Sequence, residues 1–254
     1  MTHAPVGRRV RLATMAAGVA LILALALTAP AAAQDISINF GQGNGLTERV
    51  IQLIALMTVL SLAPSILVMV TSFTRIVVVL SLLRTALGTA TAPPNTVLVS
   101  LALFLTAFVM GPSFQRAYDV GVKPLMNNEI TTDQAFERTA VPLREFMLKN
   151  VREKDLTLFV DMSHEARPAK PEDLSLRVLV PAFMISELKR AFEIGFLLFL
   201  PFLIIDLVVA SVLMSMGMMM LPPVAVSLPF KLIFFVLVDG WSLVAGSLVQ
   251  SYGT

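Results

Sequence analysis

Catalysis needs side chains that titrate, attack or ligate, and this chain holds few of them in workable arrangements. It has no cysteine and only two histidines, His3 and His164. Without cysteine there is no disulfide, no thiolate ligand for zinc and no thiol nucleophile. Ser163, His164 and Glu165 are sequence neighbours, whereas a triad is assembled from separate elements. His164 with Asp161 and Glu165 could touch a metal ion, but no second histidine supports a site. Glu153 and Asp155 alternate with Arg152 and Lys154, the pattern of a solvated, self-paired helix surface. GQGNG, residues 41–45, lacks the Lys-Ser/Thr and the strand–helix frame of a phosphate loop and reads as linker. The expectation is a protein that is not an enzyme and takes no cofactor or metal.

Charges inside the apolar stretches are more informative. They are Glu193, Asp206, Lys231 and Asp239, with Arg75 and Arg84. A lone charge at bilayer depth costs about 2.5–3.5 kcal/mol even on insertion scales. Such groups should face protein, a cavity or each other. An ion or proton path, as in a small-solute transporter or ion channel, is one reading. Pairing between subunits of a helical assembly is a second, and helices that do not lie wholly in lipid are a third. Spacing leaves all three open. Met216, Met218, Met219 and Met220 crowd around Gly217 and run into Pro222 and Pro223. They could be a loose apolar connection at the membrane edge. They could also form a deformable seal, because the unbranched thioether adapts to irregular partners.

The elements that position these residues are membrane-class. The 254 residues are 56% hydrophobic and 14% charged, with a mean hydropathy of +0.81, against about 25% charged in soluble domains. Net charge is only +2 and no basic face is clustered, so no nucleic-acid partner is expected. Arg8, Arg9 and Arg11 precede the apolar run LATMAAGVALILALALTA, and Ala31 and Ala33 supply small residues before Gln34. That predicts a cleaved signal peptide over 1–33; an uncleaved first helix is the alternative. A linker follows over 34–49.

About four long apolar segments then predict an all-α membrane-associated protein. Val50–Leu83 and Thr96–Met110 make a first hairpin over 50–112, with Pro64 expected to break or kink the former. Ala191–Met214 and Phe230–Val249 make a second over 188–254, with the methionine run between them. Residues 113–187 predict a small helical extracytoplasmic domain. Within it, Phe136, Ala140, Leu143 and Met147 recur at helical spacing, Thr131 or Thr132 starts a helix, and Asp173 or Ser175 caps another. An external mature N-terminus places the Arg75–Pro94 loop inside, where Arg75 and Arg84 satisfy the positive-inside rule.

Several stretches carry a resemblance. SELKRAFEIGFL (186–197), PFLIIDLVVASVLMSMGMMMLPP (201–223) and LPFKLIFFVLVDGW (228–241) closely resemble the FliP family of the flagellar type III export apparatus. Upstream, TSFTRIVVVLSLLRTALGT, the PPN turn and REFMLKNVREKDLTLF are similar too. The resemblance covers nearly all of the chain beyond the signal peptide.

It implies a core pore-forming subunit of the export gate, which exports unfolded components during bacterial flagellum biogenesis. About five copies would form a homo-oligomeric helical ring with FliQ-like and FliR-like subunits, alongside other membrane proteins of the apparatus. The setting would be the bacterial inner membrane at the flagellar basal body, with the complex raised largely out of the bilayer plane. It further implies that Met216, Met218, Met219 and Met220 line the narrowest part of the channel as a gasket. Phe146, Arg152, Phe159, Glu187 and Lys231 would serve subunit packing and gate assembly. The raised bundle would also give Glu193, Asp206 and Asp239 protein partners rather than lipid.

Overall fold

The computed structural model describes residues 45–163, 174–218 and 220–253, all helix, turn or connecting segment. The signal peptide and linker expectations, His164, Glu165, Asp173 and Met219 lie outside them. The chain divides into two compact units, Met1–Leu56 and Met57–Thr254. In the first, only the opening turns of helix α1 (Gly45–Val70) are described.

Helix α1 runs through Pro64 without ending there. A proline removes one helix donor, which can bend a helix without stopping it. The first apolar segment instead divides at Thr71–Ser72, before α2 (Phe73–Leu87). Side chains take over backbone partners there: the Thr71 hydroxyl accepts from the Phe73 N–H at 3.4 Å, and the Thr74 hydroxyl donates to the Val68 carbonyl at 3.2 Å. On α2, Ile76, Val79, Leu80, Leu83 and Leu87 are buried, the three-and-four spacing of one helix face. Gly88 ends α2 in the left-handed region at φ 78°.

Helix α3 (Asn95–Ala117) also outruns its expected end, carrying Pro112 inside it. It leads through a π turn, Tyr118–Val122, into the short α4 (Lys123–Met126). Helix α5 (Thr132–Asn150) starts where the sequence predicts, with a capping box. The Thr131 hydroxyl accepts from the Gln134 N–H at 3.4 Å, and the Gln134 side chain accepts from the Thr131 N–H at 3.3 Å. Helix α6 (Glu153–Ser163) follows.

Helix α7 (Leu176–Ser215) is the spine of the fold. Its 40 residues extend about 60 Å, twice the hydrocarbon thickness of about 30 Å. Ser175 caps it by accepting from the Arg177 N–H at 3.3 Å, and Pro181 and Pro201 lie inside it. The segment expected to start at Ala191 thus begins 15 residues earlier, because amphipathic turns ahead of the apolar run bury Val178, Leu179 and Phe183. The fourth segment is broken. Helices α8 (Pro223–Leu237) and α9 (Gly240–Gln250) meet at 63°. Asp239 turns the chain at φ 50°. A Cβ at Gly240 would lie 2.1 Å from the Phe235 ring, so only glycine admits this approach.

Among the described residues, two helices are long and apolar enough to cross a membrane. One is the α3 run, Asn95–Met126; the other is α7; the bent α8–α9 pair makes a third if it counts as one span. Two cores hold Met57–Thr254 together. Ile76, Leu80, Leu98, Ala191, Phe202 and Phe235 belong to one, and Met110, Phe146, Met147, Leu179, Phe183 and Tyr252 to the other.

Candidate functional site

Two ion pairs tie distant parts of the chain across helix joints. The first joins α2 to α7. Arg75 and Glu187 are 1% and 0% exposed. The Arg75 Nε donates to Glu187 Oε2 at 2.9 Å and its Nη2 donates to Oε1, so the guanidinium grips both carboxylate oxygens. Its remaining nitrogen donates to the Ser251 hydroxyl at 2.9 Å and to the Ser251 carbonyl at 3.2 Å. The Tyr252 ring lies under the guanidinium, 3.7 Å from its carbon to the ring centroid. The Tyr252 hydroxyl donates to Glu187 Oε2. Burial, and then the Glu187 charge, push this hydroxyl far above the ordinary phenol range, so it stays a donor.

The second pair joins α7 to α8. Lys231 Nζ sits 2.6 Å from Asp206 Oδ2 and donates to the Ala86 carbonyl of α2 at 3.2 Å. The Ser227 hydroxyl donates to Asp206 Oδ1 at 2.6 Å. Lys231 is buried, whereas the Asp206 side chain keeps 31% exposure. A polar joint of the same kind docks α6: the Ser186 hydroxyl donates to Asp155 at 2.7 Å, and Arg152 lies 3.2 Å from Asp155.

The remaining residues singled out from the sequence are spread over the fold. Phe146 is buried between Phe183, edge-on at 5.9 Å, and Tyr252, stacked at 5.8 Å. Phe159 on α6 is half-buried. Glu193 stands exposed on α7, 3.5 Å from Lys189 one turn earlier. Asp239 is exposed at the α8–α9 bend. Glu187, Phe146 and Lys231 each meet partners within this chain, Arg75, Tyr252 and Asp206 respectively. Sequence reasoning missed Tyr252, Ser251 and Ser227. Ser251 and Tyr252 follow directly after Gln250 at the end of the last apolar segment, and no local pattern marks them as partners of Arg75.

The methionine turn joins α7 to α8. Gly217 adopts φ 74°. The Gly217 N–H donates to the Met214 carbonyl at 3.1 Å and the Met218 N–H to the Leu213 carbonyl at 3.0 Å. These two bonds make a Schellman motif, whose left-handed position favours glycine. Pro223 then opens α8 at its first position, where its missing N–H costs no helix bond. Met216, Met218 and Met220 are 64%, 40% and 99% exposed. Below them lies an apolar groove of about 560 Å³, lined by Val208, Val212, Met216, Met218, Val226 and Phe230 among others.

Among the described residues, no cluster of three or more His, Asp or Glu could hold a metal ion. The Arg75–Glu187 and Lys231–Asp206 pairs lie in joints between apolar helices, and the methionine turn is exposed. The membrane-length apolar helices define a helical membrane protein. The FliP family model matches residues 56–248, and the chain belongs to that family. It is 63% identical to the flagellar biosynthetic protein FliP of Caulobacter vibrioides over 95% of this chain and 91% of that protein. The FliP proteins of Rhizobium meliloti and Bacillus subtilis are 51% and 56% identical, over 91% and 80% of this chain and 97% and 91% of theirs.

Proposed function

We propose that this chain is the ring-forming, pore-lining subunit of the flagellar type III export gate in the bacterial inner membrane. It passes unfolded flagellar components and performs no bond chemistry. Membership of the FliP family supports the flagellar export role. The observation that carries the pore reading is the α7–α8 tip. A Schellman turn presents Met216, Met218 and Met220 outward on a rigid hairpin, above an apolar groove. Copies arranged about an axis would bring these side chains together into a seal that has no fixed shape. Such a seal suits a passing chain of any sequence, because thioethers repack at little cost.

Assembly with FliQ-like and FliR-like subunits covers the apolar flanks of α3, α7 and α8, where Phe104, Phe196, Leu207 and Val236 are more than half exposed. The Arg75–Glu187 and Lys231–Asp206 pairs shape the subunit for that assembly. A solute-transport role built on Asp206 would want that carboxylate free, whereas Lys231 and Ser227 hold it. Native mass spectrometry of the complex, co-expressed with its FliQ-like and FliR-like partners, tests the ring. About five copies in one assembly are expected. A monomer or dimer in the presence of those partners would overturn the reading.

A further inference from the structure

Asp239 is an exposed carboxylate at the break of an apolar helix pair, and it has no ion-pair partner among the described residues. Arg84, on the last turn of α2, is in the complementary position. It donates only to neutral groups, the Pro93 carbonyl at 3.3 Å and the Asn95 side-chain oxygen. Ionisable groups on apolar helices need a partner, and among the described residues these two stand without an ion pair, as does Arg190 of α7. Arg75 is taken by Glu187, Lys189 by Glu193 and Lys231 by Asp206.

The two groups also stand at similar heights in the bundle. Arg75 meets Glu187, and Leu82 packs against Gly195, so α2 and α7 run parallel. Ser227 meets Asp206, and α8 then runs back along α7. The stretch of α8 from Ser227 to Asp239, laid back along α7 from Asp206, reaches Ile194, beside Gly195 and hence level with Leu82. Arg84 is within a turn of that level. Arg190 lies a full turn before Ile194 on α7, toward Glu187, so Arg84 is the nearer cation in height.

We propose that Asp239 of one copy takes Arg84 of the neighbouring copy as its ion-pair partner. The inference rests on the ring reading and deepens it. Each subunit carries both halves of the pair, at two different positions. The contact is therefore heterologous and repeats until the ring closes. A desolvated pair of this kind fixes register and rejects wrong neighbours more than it adds affinity.

The test uses the complex co-expressed with its partners. Two tagged copies, one Arg84→Cys and one Asp239→Cys, are mixed in a protein that has no other cysteine and treated with a short bis-maleimide. A crosslink between the two tags can only be intermolecular. In parallel, Arg84→Asp and Asp239→Arg are expected each to cut the assembled fraction at least tenfold, and the double reversal to restore most of it. If the wild type forms its ring but the tags do not crosslink and the double reversal stays as poor as the singles, the inference is overturned and the ring stands. A crosslink from Asp239→Cys to a different partner protein also overturns it. Absence of any wild-type ring removes the parent reading instead.

Discussion

The Tyr252 hydroxyl donates to the same Glu187 oxygen that receives the Arg75 Nε, so the last described turn of the chain is pinned to the joint between α2 and α7. Removing the carboxylate strands a guanidinium that is 1% exposed. Glu187→Ala is expected to destabilise the subunit by about 3–5 kcal/mol, the cost of breaking a buried pair from one side. Tyr252→Phe keeps the ring under Arg75 and loses the hydroxyl's bonds to the charged Glu187 and to the Ser72 carbonyl, about 1.5–3 kcal/mol. Thermal unfolding in detergent, read from the single tryptophan, Trp241, should rank the two in that order. A Glu187→Ala variant as stable as the parent would contradict the clamp.

The Lys231–Asp206 pair should matter less to stability. Water reaches Asp206, whose side chain is 31% exposed, and Ser227 remains as a donor when the lysine is removed. Lys231→Met is expected to cost about 1–2 kcal/mol, the scale of a polar group left partly unsatisfied. The same melting assay checks it, and a loss equal to that of Glu187→Ala would show that solvent does not reach this joint.

Two glycines give opposite expectations. A Cβ at Gly195 would lie 2.3 Å from Leu82 Cδ1, at the close approach of α2 and α7, whereas one at Gly246 in α9 meets nothing within 4 Å. Gly195→Ala should destabilise by about 1–3 kcal/mol through overpacking. Gly246→Ala should stabilise by up to about 1 kcal/mol through helix propensity. Opposite shifts in melting temperature are the outcome to look for; shifts of the same sign would contradict the helix contact.

Apolar content and capping chemistry made the helical class legible, and Thr131 and Ser175 were readable as helix starts because a cap is a local event. Breaks were harder. Pro64 is the stronger breaker on paper, yet the chain divides at Thr71–Ser72, where hydroxyls replace backbone partners. Asp239–Gly240 is a turn dipeptide inside an apolar segment that reads as one span, and it sits at a 63° bend. The partners of the charges were out of reach for a different reason. Glu187 lies 112 residues from Arg75 in sequence, and helical spacing says nothing about pairing at that range. Glu193 shows the converse, since its partner is a local lysine on the helix surface. Gly217 stands in the methionine run that the sequence singles out, and the Schellman turn gives its backbone freedom a specific use.

The methionine turn should separate stability from transport. Met216, Met218 and Met220 are exposed, so replacing all three with Ala should move subunit stability by no more than about 0.5 kcal/mol per site. The same variant should leak small ions when the gate is overexpressed, measured as dissipation of membrane potential. The Leu variant, which restores bulk, should leak less than the Ala variant.

The most direct test of the pore asks whether an exported chain passes these side chains. A cysteine placed at Met218 would be unique in this chain. A flagellar substrate fused to a tightly folded domain would stall in transit and carry its own single cysteine along the threaded segment. The account predicts a disulfide between substrate and subunit from Met218→Cys, and none from Phe104→Cys on α3, although Phe104 is 77% exposed. A stalled substrate that crosslinks equally to both positions, or to neither, would contradict a channel closed by the methionine turn.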